Sequence, residues 1–198
     1  MDQLTFETIA QLARDMGAGG VALIPSSSIV IDDNLAGLCA DPGCENYNQS
    51  LSCPPHVAGP DGMREYIQTR PQAIVFKIEV ASEILIAPSE ERRQMFRLLH
   101  EIAAAIESAA IRAGFSESMG FAGGACRRVF CHEYPDCAAL ENSEECRNPD
   151  LARPSMSGFG INVNELKKSS GWPLNRTDGA DDPSEMKMGT LCGMVLVG

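Results

Sequence analysis

Seven of the eight cysteines stand in two polar stretches that hold little apolar material of their own. The later stretch, residues 120–163, places Cys126, Cys131, Cys137 and Cys146 in the spacing C-x4-C-x5-C-x8-C. The earlier one places Cys39, Cys44 and Cys53 as C-x4-C-x8-C and runs directly into Pro54, Pro55 and His56. Thiols this dense in loop-forming sequence are not what core packing produces. The chemistry open to them is disulfide formation or metal ligation.

Four thiolates close a tetrahedral zinc site, or hold a cubane with one thiolate per iron. Structural zinc sites are usually built on a tight C-x2-4-C knuckle. Here Cys126 and Cys131 reach only the edge of that range, and the other gaps exceed it. A cluster is larger than one ion and tolerates wider spacing. Gly120, Gly123 and Gly124 lead into Cys126, where backbone amides would approach sulfur closely. Arg127, Arg128 and Arg147 would offset thiolate charge, and Phe130 and Tyr134 would exclude water. The expectation is an iron–sulfur cluster, of the 4Fe-4S kind, with zinc as the alternative. The three earlier cysteines leave one coordination position open. His56 would complete it, as would the distant Cys192; substrate or water would also fit there. Cys192 otherwise reads as a core residue of an apolar strand. His100 reads as a helix residue, and His132 as a solvent-facing loop histidine.

These thiols need elements to position them. Phe6, Ile9, Ala10, Ala13 and Met16 recur at helical spacing, predicting a helix over residues 4–16 that Gly17 ends. Residues 21–24 and 29–31 read as two short strands around Pro25. Residues 32–62 read as one long loop, and loops of that length usually carry function. A short helix around residues 63–67 stops before Pro71. Residues 73–80, AIVFKIEV, form the clearest strand, and residues 83–87 read as another. Ser89 caps the longest helix, and Gly114 closes it. Residues 115–122 return as a strand. Asn162 or Asn164 caps a helix over residues 165–170, and residues 190–197 form a last strand. The expected fold is α/β or α+β: a single domain over residues 1–198, with a central mixed sheet, a long helix packed on it and cysteine-rich metal-binding loops at its rim. A strand–helix–strand unit returns the chain to one end of the sheet, so the two cysteine groups are expected to meet in space.

The chain of 198 residues is long enough to bury a core without staples. Its net charge of −11 argues against a nucleic-acid partner, which needs a basic face. No apolar run approaches the roughly 18 residues of a membrane span. The first sixteen residues lack the basic and apolar regions of a signal peptide. The expected compartment is the cytoplasm, where thiols stay reduced, which favours metal over disulfides. The acidic stretch 178–185 reads as a solvated loop. Phosphate-loop, dinucleotide-binding, H-E-x-x-H and G-x-S-x-G motifs are absent. So is the C-x3-C-x2-C of radical chemistry with S-adenosylmethionine.

Two segments carry a resemblance: C-x4-C-x2-Y-x5-C-P-P, from Cys39 through Tyr47 to Pro55, and C-R-x-P-x2-A-R-P-S-M-x3-G-I-N-V, from Cys146 to Val163. They resemble a family of small cysteine-rich microbial proteins known only as predicted metal-binding proteins of unknown function. The resemblance implies that the seven loop cysteines form the metal-ligand set; it supplies no reaction. The function expected is metal binding with a redox or electron-transfer role, alongside a protein redox partner, with homo-oligomerisation left open. A zinc-stabilised binding module and an enzyme using an open coordination position are the competing readings.

Overall fold

The computed structural model describes residues 1–141, 145–173 and 187–198. The acidic stretch 178–185 lies outside them. In chain order the elements are α1 (Gln3–Asp15), β1 (Gly20–Pro25), α2 (Asp33–Gly37), α3 (Gly59–Thr69), β2 (Gln72–Ala81), α4 (Ser82–Ile86), α5 (Glu90–Arg112), β3 (Met119–Phe121), α6 (Cys126–Phe130), α7 (Ala138–Glu141), α8 (Val163–Ser169) and β4 (Met188–Val197).

The four strands form one sheet in the order β1-β2-β4-β3. Every pairing is antiparallel rather than mixed. β2 and β3 both run against β4, so they are parallel to each other with the last strand inserted between them. α5 is the crossover that joins them.

Period-two alternation sorts the strand residues onto two faces. Ile74, Phe76, Ile78 and Val80 of β2, with Val195 and Val197 of β4, pack under α1 and α5. Phe6, Ile9, Ala10 and Ala13 meet them from α1, and Leu99, Ile102, Ala103 and Ile106 from α5. Ala73 and Val75, with Cys192, Met194 and Leu196, face the opposite way. They are covered by Met63 of α3, Leu166 of α8 and the turn containing Met156 and Phe159. Both faces of β2 are therefore buried, which is why residues 73–80 read as a nearly continuous apolar run.

The expected caps are present. The Ser89 side chain accepts from Arg92 N at 3.0 Å, and Gly114 takes a left-handed φ of +97° after α5. Asn162 accepts from the amides of Asn164 and Glu165 to start α8.

Three local expectations are corrected. Residues 29–31 contribute only an isolated bridge, Ile31 to Ile161, because a 3-10 turn at Ser26–Ser28 carries the chain off the sheet after Pro25. Residues 83–87 belong to the short helix α4 and its end, since β2 finishes at Ala81 and the chain turns there. A short apolar run does not by itself distinguish strand from helix. Of residues 115–122 only Met119–Phe121 are strand; Phe115 instead folds back on α5, its amide bonding to Ala110 O at 3.1 Å.

Gly193 of β4 lies against the Phe76 ring: a Cβ there would stand 2.3 Å from its Cζ. Gly193→Ala is expected to cost about 1–3 kcal/mol by forcing that ring aside. Urea unfolding followed by circular dichroism measures it, and an unchanged midpoint would mean that the ring is not packed there.

Candidate metal centre

Three loop segments meet beyond the end of β3 and are laced together through their backbones. Ala122 N donates to Pro154 O at 3.0 Å, and Met156 N donates to Ala122 O at 2.9 Å. Ser155 N donates to Ser52 O at 3.0 Å. The segment holding the earlier cysteines is thus pinned to the segment that follows the later ones. Two glycines allow the close fit. Gly124 adopts φ +75°, and a Cβ on it would stand 2.9 Å from the Phe96 ring of α5. A Cβ on Gly158 would stand 2.9 Å from both Pro54 and Val57.

Arg153 fixes the same region from beneath. Its Nε donates to Glu107 of α5 at 3.0 Å, and its Nη1 donates to the carbonyls of Pro149 and Ala152. Gly120 N also donates to the Glu107 carboxylate. His100, fully buried in α5, accepts from Arg153 N at Nδ1 (3.1 Å) and meets Phe130 edge-on. Burial first, then the Arg153 charge, lowers its pKa to about 4, so it is a neutral strut.

On this frame Cys126, Cys131, Cys137 and Cys146 line one cavity of about 20 Å³, with Phe130 at its wall. Cys39, Cys44 and Cys53 line a second, of about 120 Å³, with Asn46, Tyr47, Ser155 and Ser157. Gly124 and Ala125, the two residues before Cys126, also line this second cavity. The two groups therefore adjoin, as their topology leads one to expect. The Ser52 hydroxyl lies 3.0 Å from Cys126 Sγ and 3.9 Å from Cys53 Sγ, so these sulfurs are no farther apart than those two distances together.

The donors to sulfur differ from those expected. The glycine run packs on α5 and, among the described residues, gives no amide to a thiol. Asn148 N donates to Cys146 Sγ and Asn148 Nδ2 to Cys131 Sγ, each at 3.4 Å. Asn46 Nδ2 donates to Cys44 Sγ at 3.6 Å. Ser52, Asn148 and Asn46 were not singled out by sequence. Their one signal was position, each within two residues of a cysteine.

The arginines divide in role. The Arg147 guanidinium stacks 4.2 Å over Tyr134 and favours the Cys131 thiolate. Arg127 donates to Gln49 and to the carbonyls of Tyr134 and Pro135. Arg128 bonds Asn46 at 3.0 Å and pairs with Glu45 at 2.8 Å. Both therefore tie the later cysteine segment to the earlier one. Phe130 walls the cavity, whereas Tyr134 stands at the surface beneath Arg147.

His56 is exposed and bonded to Asn48 Oδ1 at 2.6 Å. It faces a neighbouring cleft of about 370 Å³, walled also by Tyr66, Phe159, Cys126, Cys137 and Cys146, and does not line the cavity of the three earlier cysteines. Cys192 is buried in the core on β4 and lines neither cavity. His132 is exposed beside Glu133. All eight cysteines are free thiols.

Among the described residues no set of three or more His, Cys, Asp or Glu side chains stands ready to hold one metal ion. The thiols ring two cavities.

Burial raises the Cys39, Cys53 and Cys131 thiols, and pushes Cys126 up to about 11 against the hydrogen bonds of Ser52 and Ser50. Cys192, also buried, rises to about 11. Without metal these groups are neutral, and metal binding must release their protons.

The family of predicted metal-binding proteins DUF2284 matches residues 22–197, and the chain belongs to it. No curated protein and no solved structure matches the chain. The chain is thus a cysteine-rich, predicted metal-binding protein. Among the described residues no helix is long and apolar enough to cross a membrane.

The sign of the thiol shifts fixes a pH dependence. The folded pKa of Cys126 lies above its ordinary 9.0, so its contribution to stability is complete below pH 9 and is lost as pH rises through about 11. Metal-free protein is expected to lose urea resistance across that window, and Cys126→Ala to lose less. Equal pH dependence in the two proteins would contradict the burial of this thiol.

Proposed function

We propose that the chain is a cytoplasmic iron–sulfur protein with a redox role. Cys126, Cys131, Cys137 and Cys146 would hold a 4Fe-4S cluster, and Cys39, Cys44 and Cys53 a second centre. The observation that carries this reading is that four thiols line one cavity and three line an adjoining one. A cluster spreads its ligands over several irons, so its sulfurs ring a volume. One zinc ion draws them to a point.

The surrounding chemistry fits an anionic thiolate-bound group. Asn148, Asn46 and Ser52 supply N–H and O–H donors to sulfur, and Arg147 supplies positive charge beside Cys131. Such donors stabilise the reduced, more negative state and set the potential. A bound cluster would supply one-electron transfer. The protein holds the ligands, excludes water with Phe130 and presents the centres near the surface to a protein redox partner.

A second reading is favoured by the earlier cavity. Its described lining offers three thiols and no further cysteine or histidine; the remaining polar side chains are Asn46, Tyr47, Ser155 and Ser157. A metal there would keep one open position for a substrate, acting as a Lewis acid.

Anaerobically purified protein is expected to show broad visible absorption and to contain iron and acid-labile sulfide. Cys137→Ser should lose the share of iron held by the later four thiols and keep the rest. Stoichiometric zinc without visible absorption would refute the iron–sulfur reading, and full iron retention by Cys137→Ser would refute the ligand set.

A further inference from the structure

We propose that the cleft between α5 and α6 binds the phosphate group of a small molecule, held by Arg92 and Arg128. The site lies outside both thiol cavities and does not depend on the metal reading. The cleft measures about 260 Å³ and gathers Arg92 and Arg93 of α5 with Arg128 of α6 and His132 just beyond it. Glu45 is the one acidic residue in its described lining. The chain has 16 basic and 27 acidic residues, so three guanidiniums around one concavity run against its composition. The packing builds this concentration. Gly124, at φ +75°, lies against the Phe96 ring, where a Cβ would stand 2.9 Å away. That contact carries the start of α6 onto the first turns of α5, and so brings Arg128 and His132 to the cleft that Arg92 and Arg93 line.

Like charges gathered this way repel one another, and an anion among them removes the repulsion. Two of the three are already partnered: Arg93 pairs with Glu90, and Arg128 with Glu45 at 2.8 Å. Both glutamates are more than half exposed, and surface pairs of this kind hold weakly. Arg92 has no carboxylate partner among the described residues; its guanidinium lies 5.6 Å over the Phe96 ring. Asn46 Oδ1 accepts from Arg128 Nε at 3.0 Å and orients that side chain, and among the described residues its Nη1 has no hydrogen-bond partner. A phosphate group suits this arrangement better than a carboxylate. Its tetrahedral oxygens can meet guanidiniums arriving from two elements, whereas a planar carboxylate is satisfied by one fork. Pro88, Phe96 and Val129 supply apolar wall beside the basic groups, so a phosphate ester with a small organic body gains contact that free phosphate does not. The cleft shares Asn46, Gly124 and Ala125 with the cavity of the three earlier cysteines, which places the two sites on either side of one wall.

The test is calorimetric titration of the full chain as purified, at constant ionic strength, with inorganic phosphate, phenyl phosphate and benzoate. Saturable binding of phenyl phosphate is expected, tighter than that of inorganic phosphate, with benzoate weaker than phenyl phosphate. Arg92→Gln and Arg128→Gln should each weaken phenyl phosphate about tenfold, the loss of one charge-assisted contact. Arg92→Lys, which keeps the charge and loses the fork, should weaken it less. Arg112→Gln, in the last turn of α5, should leave binding unchanged. Circular dichroism checks the fold of every variant. Arg128 also clamps the earlier cysteine segment, so if Arg128→Gln is unstable the result rests on Arg92→Gln, whose side chain makes no such clamp. Inorganic phosphate binding at the same arginines as tightly as the ester would support the site and assign it to the free ion. Benzoate binding as tightly as phenyl phosphate would overturn phosphate as the chemistry. No saturable binding of either phosphate at millimolar concentration, or undiminished binding in Arg92→Gln, would overturn the proposal and leave the metal reading standing.

Discussion

Seven thiols cannot be held together by loops that contain almost nothing apolar unless the loops are tied by their backbones. The structure meets this constraint with the lacing of Ser52, Ala122 and residues 154–156. Each bond is modest on its own, about 1 kcal/mol net. Their effect is geometric. They bring the earlier cysteine segment, the exit of β3 and the segment after Cys146 into register, and they exploit the crossover of α5 to reach the same end of the sheet. Gly124 and Gly158 let the segments close to distances that any Cβ would forbid. The Arg153–Glu107 pair and neutral His100 then brace the assembly against α5.

The electrostatics follow from burial. Thiols kept from water resist ionisation, so the metal-free fold holds them neutral. A metal must displace their protons, and the resulting anionic group needs donors in a chain whose net charge is already −11. The donors are local: Asn148 serves two sulfurs, Asn46 one, and Arg147 stands beside Cys131. Arg127 and Arg128, which sequence alone assigned to charge balance, serve chiefly as clamps between the two cysteine segments.

Features that depend on neighbouring residues were legible in the sequence. The caps at Ser89 and Asn162, the stop at Gly114 and the doubly buried β2 all rest on local chemistry. So does the division of the cysteines into a group of four, a group of three and a core residue, Cys192. What depends on long-range pairing was not legible. No local pattern announces that β4 inserts between β2 and β3, which is why a mixed sheet was expected where an antiparallel one is found. His56 looked like a fourth ligand because it follows Cys53 closely, yet Asn48 holds it facing the adjacent cleft. Ser52 reaches Cys126 from 74 residues away and Asn148 reaches Cys131 from 17 residues away, contacts that spacing does not reveal.

The central claim is that two thiol-held centres adjoin, with Cys53 and Cys126 as neighbours across one hydroxyl. Low-temperature paramagnetic resonance of the fully reduced protein tests it most directly, because paramagnetic centres in contact split and broaden each other's signals. A spectrum of two interacting centres that collapses to one simple signal in Cys44→Ser is the expected result. Two unbroadened signals that add as independent species, unchanged in shape when either centre is removed, would contradict the account.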